Sequence, residues 1–263
     1  MNYALITGAS GGIGAAMARR LAEEGLNVLL VARSEDKLRE LKAEIREEFR
    51  VGVEYLPLDL LEEGAVDTLL DWCHANEYFV RILINNAGVG EWGPFEEKDL
   101  QSQLSMMHLN QDVMVSLTHA FLEKMHTFSS AHILNVGSTA SYQPIPFFAV
   151  YAATKAFVLS FTRALRHELR RSPINVSCLC PGPTDSDFFS RAGFISKQAN
   201  SIMMAPEAVA DIAIKGLFKS KAVIVPGFSN GLGVVMSKIL PQGMLSGIVG
   251  SIFKPRSERM IED

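Results

Sequence analysis

TGASGGIGAA, residues 7–16, directly follows the first apolar segment of the chain, YALIT. Gly8, Gly12 and Gly14 therefore fall where a buried strand would turn into a helix. Glycine permits tight backbone geometry and lets a phosphate approach without a Cβ in the way. The free N–H groups and positive dipole end of the following helix attract that phosphate. A glycine-rich loop between a strand and a helix predicts a dinucleotide-binding turn; the alternative is a merely tight turn.

Apolar, β-branched segments alternate with helical patterns along the whole chain. The apolar segments lack polar alternation, which is typical of strands buried on both faces of a parallel sheet. We therefore predict an α/β fold: one Rossmann-type domain over residues 1–263, with a doubly wound, seven-stranded, mostly parallel sheet and helices on both faces. We expect the strands at Tyr3–Thr7, Asn27–Ala32, Val51–Leu58, Val80–Asn85, Ala131–Val136, Ile174–Leu179 and Ala222–Val225.

The composition excludes several classes of protein. The chain has 263 residues and a net charge of −4, with no basic block, so we expect no nucleic-acid partner. Cys73, Cys178 and Cys180 are an odd number in a long chain, which predicts buried thiols rather than a disulfide scaffold. No histidine or third cysteine stands at ligand spacing, so we expect no metal site. Met1 and Asn2 lead directly into YALIT without a basic start or cleavage site, which predicts a cytoplasmic protein.

The end of the second strand, LLVARSED, indicates which dinucleotide binds. An acidic residue there would hold the adenosine ribose and repel a 2′-phosphate. This chain instead has Ala32, then Arg33, which can pair with a 2′-phosphate, and Ser34, which can add a hydrogen bond. The pattern predicts NADP(H) as the cofactor. The alternative is that Arg33 is an ordinary surface arginine.

The segment VYAATKAF places Tyr151 and Lys155 four residues apart, on one face of a predicted helix. Two interpretations are open at this point. The pair is either a catalytic acid with its electrostatic partner, or an aromatic core residue beside a solvated lysine.

Further motifs follow in a fixed order between the predicted elements. They are TGASGGIG, Asp59 in LDL, NNAG at Asn85–Gly88, Asn110 in the fourth helix, Ser138 after the fifth strand, YAATK, and Pro181–Gly182. Because it carries these motifs in this order, the chain resembles the compact single-domain branch of the short-chain dehydrogenase/reductase family, from Thr7 to about Val225. The resemblance implies a Rossmann fold and nicotinamide-linked oxidoreduction.

The chemistry of ketone reduction fits the same residues. A carbonyl that accepts hydride also needs a proton donor, and Tyr151 can act as the acid in reduction and the base in oxidation. We expect Lys155 to lower the pKa of Tyr151 and hold the nicotinamide ribose. The Ser138 hydroxyl can hold the substrate oxygen, although it can also be a simple turn serine. The resemblance implies that Asn110, a poor residue for a helix interior, anchors a proton-relay water; the alternative is a surface position.

The resemblance also implies the cofactor contacts, with one departure: Ser186 stands where the family usually has threonine, and Thr184 where a branched apolar residue is common. Asn85 is expected to brace strands instead. The expected contacts are Gly8, Ser10, Gly12, Ile13, Gly14, Arg33, Ser34, Asp59, Asn86, Ala87, Gly88, Tyr151, Lys155, Pro181, Gly182, Thr184 and Ser186.

The segments expected around the substrate are apolar. They predict a lipophilic pocket and a substrate lid over residues 187–205. The alternative is that these side chains pack the core or a subunit contact. The residues are Phe147, Phe148, Phe188, Phe189, Phe194, Met203 and Met204.

An apolar C-terminal extension covers residues 228–263. Its stretch GLGVVMSKILPQGMLSGIVGSIF, residues 231–253, is long enough to cross a membrane, but Lys238, Pro241 and five glycines favour two short helices broken at Pro241. These helices could cap the pocket, contact a neighbouring subunit, or make weak peripheral contact with a membrane.

The leading prediction is thus an NADP(H)-dependent oxidoreductase acting on a ketone or secondary alcohol. A dinucleotide-binding sensor without turnover would have lost Tyr151, Lys155 or Ser138, and a structural oligomer subunit would need none of them. The resemblance further implies a homodimer or homotetramer, built partly on the helices that carry Asn110 and Tyr151.

Overall fold

Seven parallel strands form the centre of the fold. The computed structural model describes residues 1–194 and 203–255. The strand order is β3-β2-β1-β4-β5-β6-β7, and each neighbouring pair is parallel. The strands are β1 Asn2–Thr7, β2 Asn27–Ala32, β3 Val53–Pro57, β4 Phe79–Asn85, β5 Ala131–Val136, β6 Ile174–Leu179 and β7 Val223–Ile224. The predicted fold class is confirmed.

Helices cover both faces of this sheet. The α-helices are α1 Gly12–Glu23, α2 Glu35–Glu48, α3 Ala65–Ala75, α4 Leu100–Met107, α5 Val113–Met125, α6 Ala149–Glu168, α7 Phe188–Arg191, α8 Pro206–Phe218, α9 Phe228–Ile239 and α10 Gln242–Phe253. A π-helical turn, His108–Asp112, joins α4 to α5, and 3-10 turns lie at Phe95–Glu97 and Thr139–Tyr142. Among the described residues, none of the helices combines the length and hydropathy required to cross a bilayer.

The strands are apolar throughout because both of their faces are covered. In β1, Ala4 and Ile6 pack with α1, α2 and α8, whereas Tyr3 and Leu5 pack with α3, α5 and α6. Each fully buried aliphatic side chain contributes about 1.5–3 kcal/mol relative to exposure. Alternate residues of one strand therefore stabilise opposite layers, which explains the absence of polar alternation in the sequence.

The order of the strands reverses at β1: β2 and β3 lie on one side of it, and β4 to β7 lie on the other. At such a switch point the loops after the two central strands separate and leave a crevice at the carboxyl edge of the sheet. The glycine-rich loop after β1 and the NNAG segment after β4 both lie at this edge. The topology therefore brings together motifs that are about eighty residues apart in sequence.

The element ends follow local signals only in part. Gly25 has a φ of +76° just beyond α1, as expected for a helix stop. Ser34 is the residue that precedes α2, but its side chain makes no capping hydrogen bond. Pro241 separates α9 from α10 as predicted. The third and seventh strands are shorter than predicted, beginning at Val53 and Val223.

A chain of buried amides and hydroxyls ties the centre of the sheet to the helices on one face. Asn85 Nδ2 donates to Asn135 Oδ1 (2.8 Å) and to Thr118 Oγ1 (3.0 Å). Asn135 Nδ2 in turn donates to Thr162 Oγ1 (3.0 Å). The expectation that Asn85 braces strands agrees with these contacts. Since Asn135 is fully buried, any loss of a partner here leaves a polar group without water.

Asn135→Ala should lower the free energy of unfolding by about 1–3 kcal/mol, because it leaves buried donors and acceptors unpaired. Urea denaturation measures the change. Asn76→Ala is the matched control, since the Asn76 amide also donates to a carbonyl, that of Trp72, but at an exposed site. Equal losses in the two variants would contradict the role assigned to burial.

Candidate active site

The loop after β1 is shaped by contacts that exclude a Cβ. Gly8 and Gly12 have φ values of +66° and +52°, which favour glycine. A Cβ on Gly14 would lie 2.3 Å from the Gly8 carbonyl oxygen. No side chain caps the N-terminus of α1, so its first amide groups face the crevice edge without a side-chain acceptor. This arrangement suits a bound phosphate.

Thr7 and Asn86 hold this loop against the NNAG segment. The Thr7 hydroxyl accepts hydrogen bonds from the backbone N–H groups of Asn86 and Ala87, each at 3.0 Å. The Asn86 side chain donates to the carbonyls of Thr7 (2.9 Å) and Gly8 (3.2 Å). Asn86, expected as a cofactor contact, thus also holds the glycine-rich loop in place. Thr7 was not identified as a site residue, although it begins the quoted motif.

Arg33 lies at the carboxyl end of β2 beside Asp59. Its guanidinium nitrogen is 3.7 Å from the Asp59 carboxylate, and its side chain is 63% exposed, so it can turn toward a ligand. Ser34 follows at the start of α2, where its hydroxyl makes no capping bond. Lys37, one turn into α2, adds a second positive charge and lies 3.7 Å from the Asp187 carboxylate. Sequence reasoning missed Lys37 because the charged helix α2 also carries Arg39, Lys42 and Arg46, and spacing alone does not distinguish among them.

Tyr151 and Lys155 lie on one face of α6, directed toward the crevice. The Lys155 ammonium donates to the Val136 carbonyl at 2.8 Å and lies 5.8 Å from the centroid of the Tyr151 ring. Lys155 is only 6% exposed. The interpretation of this residue as a solvated surface lysine is therefore wrong.

Burial controls the ionisation of both groups. It lowers the pKa of Lys155 to about 8. It raises the pKa of Tyr151 to about 12, against a smaller lowering from the hydrogen-bond contact with Ser138. Lys155 is not among the groups that shift the pKa of Tyr151 in this structure, where desolvation of the phenol is the largest influence.

Ser138 begins the 3-10 turn Thr139–Tyr142 at the end of β5. Its hydroxyl accepts the N–H of Ala140 (3.1 Å), while its own N–H donates to Ser141 Oγ (3.2 Å). The Ser141 hydroxyl donates to the backbone carbonyl of Lys155 at 2.7 Å. This capping box holds the serine loop against α6. Ser141 is a positioning residue that the sequence GSTAS did not distinguish from its neighbours.

Asn110 lies in the π-helical turn between α4 and α5 and is buried. Its side chain donates to the Val89 carbonyl (2.9 Å) and to Thr154 Oγ1 (3.0 Å), and accepts the Val89 N–H (3.0 Å). A Cβ on Gly88 would lie 3.0 Å from Asn110 Oδ1 and 3.4 Å from the Lys155 ammonium. The surface alternative for Asn110 is wrong, and a π-turn at such a position is typical of functional sites.

The loop after β6 closes the crevice from above. The Pro181 carbonyl accepts the N–H of Thr139, beside Ser138, and a Cβ on Gly12 would lie 3.1 Å from Ser186 Cβ. The Thr184 hydroxyl donates to the Gly182 carbonyl at 3.1 Å. This loop therefore touches both the glycine-rich turn and the serine turn.

Asn230 on α9 also reaches this loop. A Cβ on Gly182 would lie 2.3 Å from Asn230 Oδ1, and the Asn230 amide donates to the Pro226 carbonyl at 2.7 Å. The asparagine stands in an apolar tail that gave no reason to connect it with the cofactor loop. The tail thus packs beside the crevice from its first helix.

Aromatic side chains form a cluster next to Tyr151. Phe188 lies 5.2 Å from Tyr151 between ring centroids, and Phe148 lies 5.9 Å from it. Phe148 and Phe194 are buried, at 3% and 8% exposure, and pack on each other. Part of the expected pocket lining thus fills the core of this cluster, as the alternative interpretation held.

Met204 does not belong to the aromatic cluster. It pairs with Thr184 in an isolated bridge and packs on the layer of α1 and α8, because the chain turns back to the sheet there. Of the expected lid over residues 187–205, residues 195–202 lie outside the described part of the chain.

Trp92 and Phe253 complete the aromatic cluster. The Trp92 indole donates to the Phe253 carbonyl at 2.8 Å, and Phe253 packs on Phe148 and Phe194 at 5.4 and 5.1 Å. The contact fixes the end of α10 beside the catalytic tyrosine candidate. It joins residues 161 positions apart, so no local sequence signal could reveal it.

The cysteine and acidic side chains of the described residues form neither a disulfide nor a metal site. Cys178 and Cys180 are fully buried free thiols with their sulfurs 3.6 Å apart. Within residues 1–194 and 203–255, no group of three or more His, Cys, Asp or Glu side chains is arranged to hold a metal ion.

The depressed pKa of Lys155 predicts a pH dependence of stability. An unfolded lysine has a pKa near 10.4, so between pH about 8 and about 10 the unfolded chain binds more protons than the folded one, and stability rises with pH. Above pH about 10 the raised pKa of Tyr151 acts in the opposite sense, because the folded phenol keeps its proton longer.

Lys155→Met should remove about 2 kcal/mol of this rise, measured by urea unfolding at pH values from about 7 to about 10. Lys221→Met, at an exposed position, is the control. A wild type and a Lys155→Met variant with the same pH slope would show that Lys155 is not the group responsible.

Comparison with known proteins identifies the family of the chain. The family model described as short chain dehydrogenase matches residues 2–193. Sulfoacetaldehyde reductase 2 of Chromohalobacter salexigens is 38% identical over 186 residues, which cover 70% of this chain and 73% of that protein. The NADP-dependent 3-hydroxy acid dehydrogenase YdfG of Escherichia coli is 30% identical over 220 residues, covering 79% and 85%.

A solved structure is similar over nearly its whole length. The short-chain dehydrogenase from Sphingobium yanoikuyae, in complex with NADPH, superposes with a TM-score of 0.81 at 30% identity, covering 94% of this chain and 95% of that one. Family model, sequence relatives and fold all agree, and the chain belongs to the short-chain dehydrogenase family of oxidoreductases.

Proposed function

We propose that this protein is an NADP(H)-dependent reductase of lipophilic ketones, or dehydrogenase of the corresponding secondary alcohols, with Tyr151 as the acid/base. The observation that carries the proposal is the convergence of Tyr151, Lys155, Ser138 and Asn110 beside the glycine-rich loop. Neither a sensor without turnover nor a structural subunit requires such a set.

The residues present fit a bound NADP(H). The uncapped end of α1 and the glycines that admit no Cβ suit the pyrophosphate. Arg33 and Ser34 would hold the 2′-phosphate, with Asp59 beside the adenine. A relative described as NADP-dependent and a structural neighbour in complex with NADPH support this choice. The remaining contacts proposed are Gly8, Ser10, Gly12, Ile13, Gly14, Asn86, Ala87, Gly88, Tyr151, Lys155, Pro181, Gly182, Thr184 and Ser186.

When bound, the reduced cofactor supplies hydride to the carbonyl carbon. Tyr151 donates its phenolic proton to the carbonyl oxygen, and its raised pKa keeps that proton in place at neutral pH. The Ser138 hydroxyl donates a hydrogen bond to the same oxygen and shares its developing charge. Lys155, protonated below pH about 8, stabilises the phenolate that remains. Asn110 then holds the water through which the phenolate is reprotonated.

The aromatic cluster supports a lipophilic substrate. Phe188 covers the Tyr151 ring, and a Cβ on Gly90 would lie 2.6 Å from the Phe188 ring. A substrate carbonyl that reaches Tyr151 must therefore pass beside phenyl groups. Apolar substituents gain from this environment, whereas a charged group would lose its hydration.

A homodimer or homotetramer is the expected assembly. Apolar side chains remain exposed on α4 and α6, next to the turn that carries Asn110 and the helix that carries Tyr151. We propose that a second copy of the chain covers this face, because exposed apolar patches on soluble domains mark contact sites. The exposed residues are Leu100, Leu104, Met107 and Phe157.

Tyr151→Phe should reduce turnover of apolar ketones by about 10²–10⁴-fold, because the proton donor is lost. NADPH binding should change far less than turnover, because the other proposed cofactor contacts remain. Initial rates of NADPH oxidation measure turnover, and quenching of protein fluorescence measures binding. Tyr55→Phe, on β3, is the matched control and should keep wild-type rates. A wild type that binds NADPH but reduces no ketone in a broad panel would instead indicate a sensor.

Arg33→Asp should reverse the preference for NADPH over NADH, with about 10- to 100-fold weaker use of NADPH, since a charge-assisted contact is replaced by repulsion. The ratio of kcat/KM values for the two cofactors is the measurement. Arg39→Asp, also exposed but within α2, is the control. An unchanged ratio in Arg33→Asp would make Arg33 an ordinary surface arginine.

A further inference from the structure

The first tail helix, α9, exposes an apolar side to solvent. Phe228 is 90% exposed, and Leu232, Val235 and Ile239 are 54%, 50% and 69% exposed. They recur every three or four residues, so they lie on one side of the helix. The opposite side is buried and includes Val234. The helix is therefore apolar on both its inner and its outer side.

The second tail helix, α10, repeats this arrangement. Met244, Ile248 and Ile252 recur every fourth residue and are 54%, 51% and 59% exposed, while Leu245 and Val249 face the protein. Of the eighteen large hydrophobic residues exposed in the described ranges, eight fall between Phe228 and Ile252. So dense a set on a soluble domain marks a binding surface.

Three serine hydroxyls of the two helices are bonded within their own helix. The hydroxyls of Ser237, Ser246 and Ser251 each donate to a carbonyl of their own helix, at 2.9, 2.8 and 2.7 Å. A protein partner typically gains about one hydrogen bond per 100–200 Å² of interface. Hydroxyls bonded to their own helix suit hydrocarbon better, because they need no outside partner.

The charge of the segment that contains α9 and α10 is also one-sided. From Phe228 to Pro255 the chain carries Lys238 and Lys254 and no carboxylate side chain, although the whole chain has a net charge of −4. Residues 256–263 add Arg256 and Arg259 but also Glu258, Glu262 and Asp263, so the one-sided charge belongs to the two helices. Positive charge beside an exposed apolar helix is complementary to a lipid surface that carries acidic headgroups.

We propose that α9 and α10 dock the protein on the surface of an anionic lipid bilayer. The two helices flank the crevice: Asn230 on α9 meets Gly182, and Phe253 at the end of α10 is held by Trp92 in the aromatic cluster. Docking there brings the mouth of the site close to the lipid phase. A lipophilic substrate could then enter without crossing water.

Flotation of the full-length protein tests this docking. The probes are vesicles of phosphatidylcholine alone and of phosphatidylcholine mixed with phosphatidylserine. The wild type should float with the mixed vesicles at low salt, and the bound fraction should fall as salt rises. A wild type that stays at the bottom with both vesicle types at low salt would overturn the proposal.

Variants assign the binding to the tail. Leu232→Ser/Val235→Ser on α9 and Met244→Ser/Ile248→Ser on α10 should each lower the partition coefficient at least about tenfold, since apolar area is lost at exposed positions. The control is Leu100→Ser/Leu104→Ser on α4, which should float like the wild type. An equal loss in this control would remove the assignment to the tail.

Thermal unfolding and sedimentation distinguish a loss of lipid binding from a loss of folding or of subunit contact. The thermal midpoint of each variant should stay near that of the wild type, because the changed side chains are exposed. Sedimentation without lipid reports the oligomeric state. Tail variants that dissociate an oligomer, together with a wild type that does not float, would show that a second copy covers this surface. Flotation does not depend on turnover, so its failure leaves the proposed reductase activity untouched.

Discussion

The close approach of α1 to the end of β1 is the constraint on which the rest of the site depends. A Cβ on Gly14 would meet the Gly8 carbonyl at 2.3 Å and the Asn86 amide nitrogen at 2.5 Å. Asn86 in turn bonds the carbonyls of Thr7 and Gly8. If α1 moved outward, the switch point between β1 and β4 would open, and the loop would lose the geometry that suits a phosphate.

The catalytic candidates are positioned by hydrogen bonds from neighbouring loops rather than by their own helix alone. Asn110 holds Val89, and Ser141 connects the turn of Ser138 to the backbone of Lys155. Burial then sets the ionisation: the ammonium is close to losing its proton near pH 8 while the phenol retains its own. The pair is thus chemically unusual because it is desolvated, and spacing in the sequence is only the precondition.

The aromatic cluster and the tail connect the site to the outer surface. Phe253 is held by Trp92 and packs on Phe148, which lies against Tyr151. A displacement of α10 would therefore be transmitted to Tyr151 through contiguous ring contacts. The tail combines a buried side that anchors it with an exposed side that carries eight large hydrophobic residues.

Short-range patterns were sufficient for the fold class and for placing Tyr151 and Lys155 on one helix face, whereas the expected roles of Asn110 and of most cofactor contacts came from the family resemblance. A strand that is buried on both faces is apolar along its length, and residues four apart in a helix, such as Tyr151 and Lys155, lie on the same side. Both features could therefore be predicted without knowing what packs against these elements. The tertiary structure was required for the roles of Thr7, Ser141, Trp92 and Asn230. Each of these residues contacts a segment that is distant in the sequence, which no local pattern reveals. The same holds for the raised pKa of Tyr151, since desolvation depends on everything packed around a group and not on its neighbours along the chain.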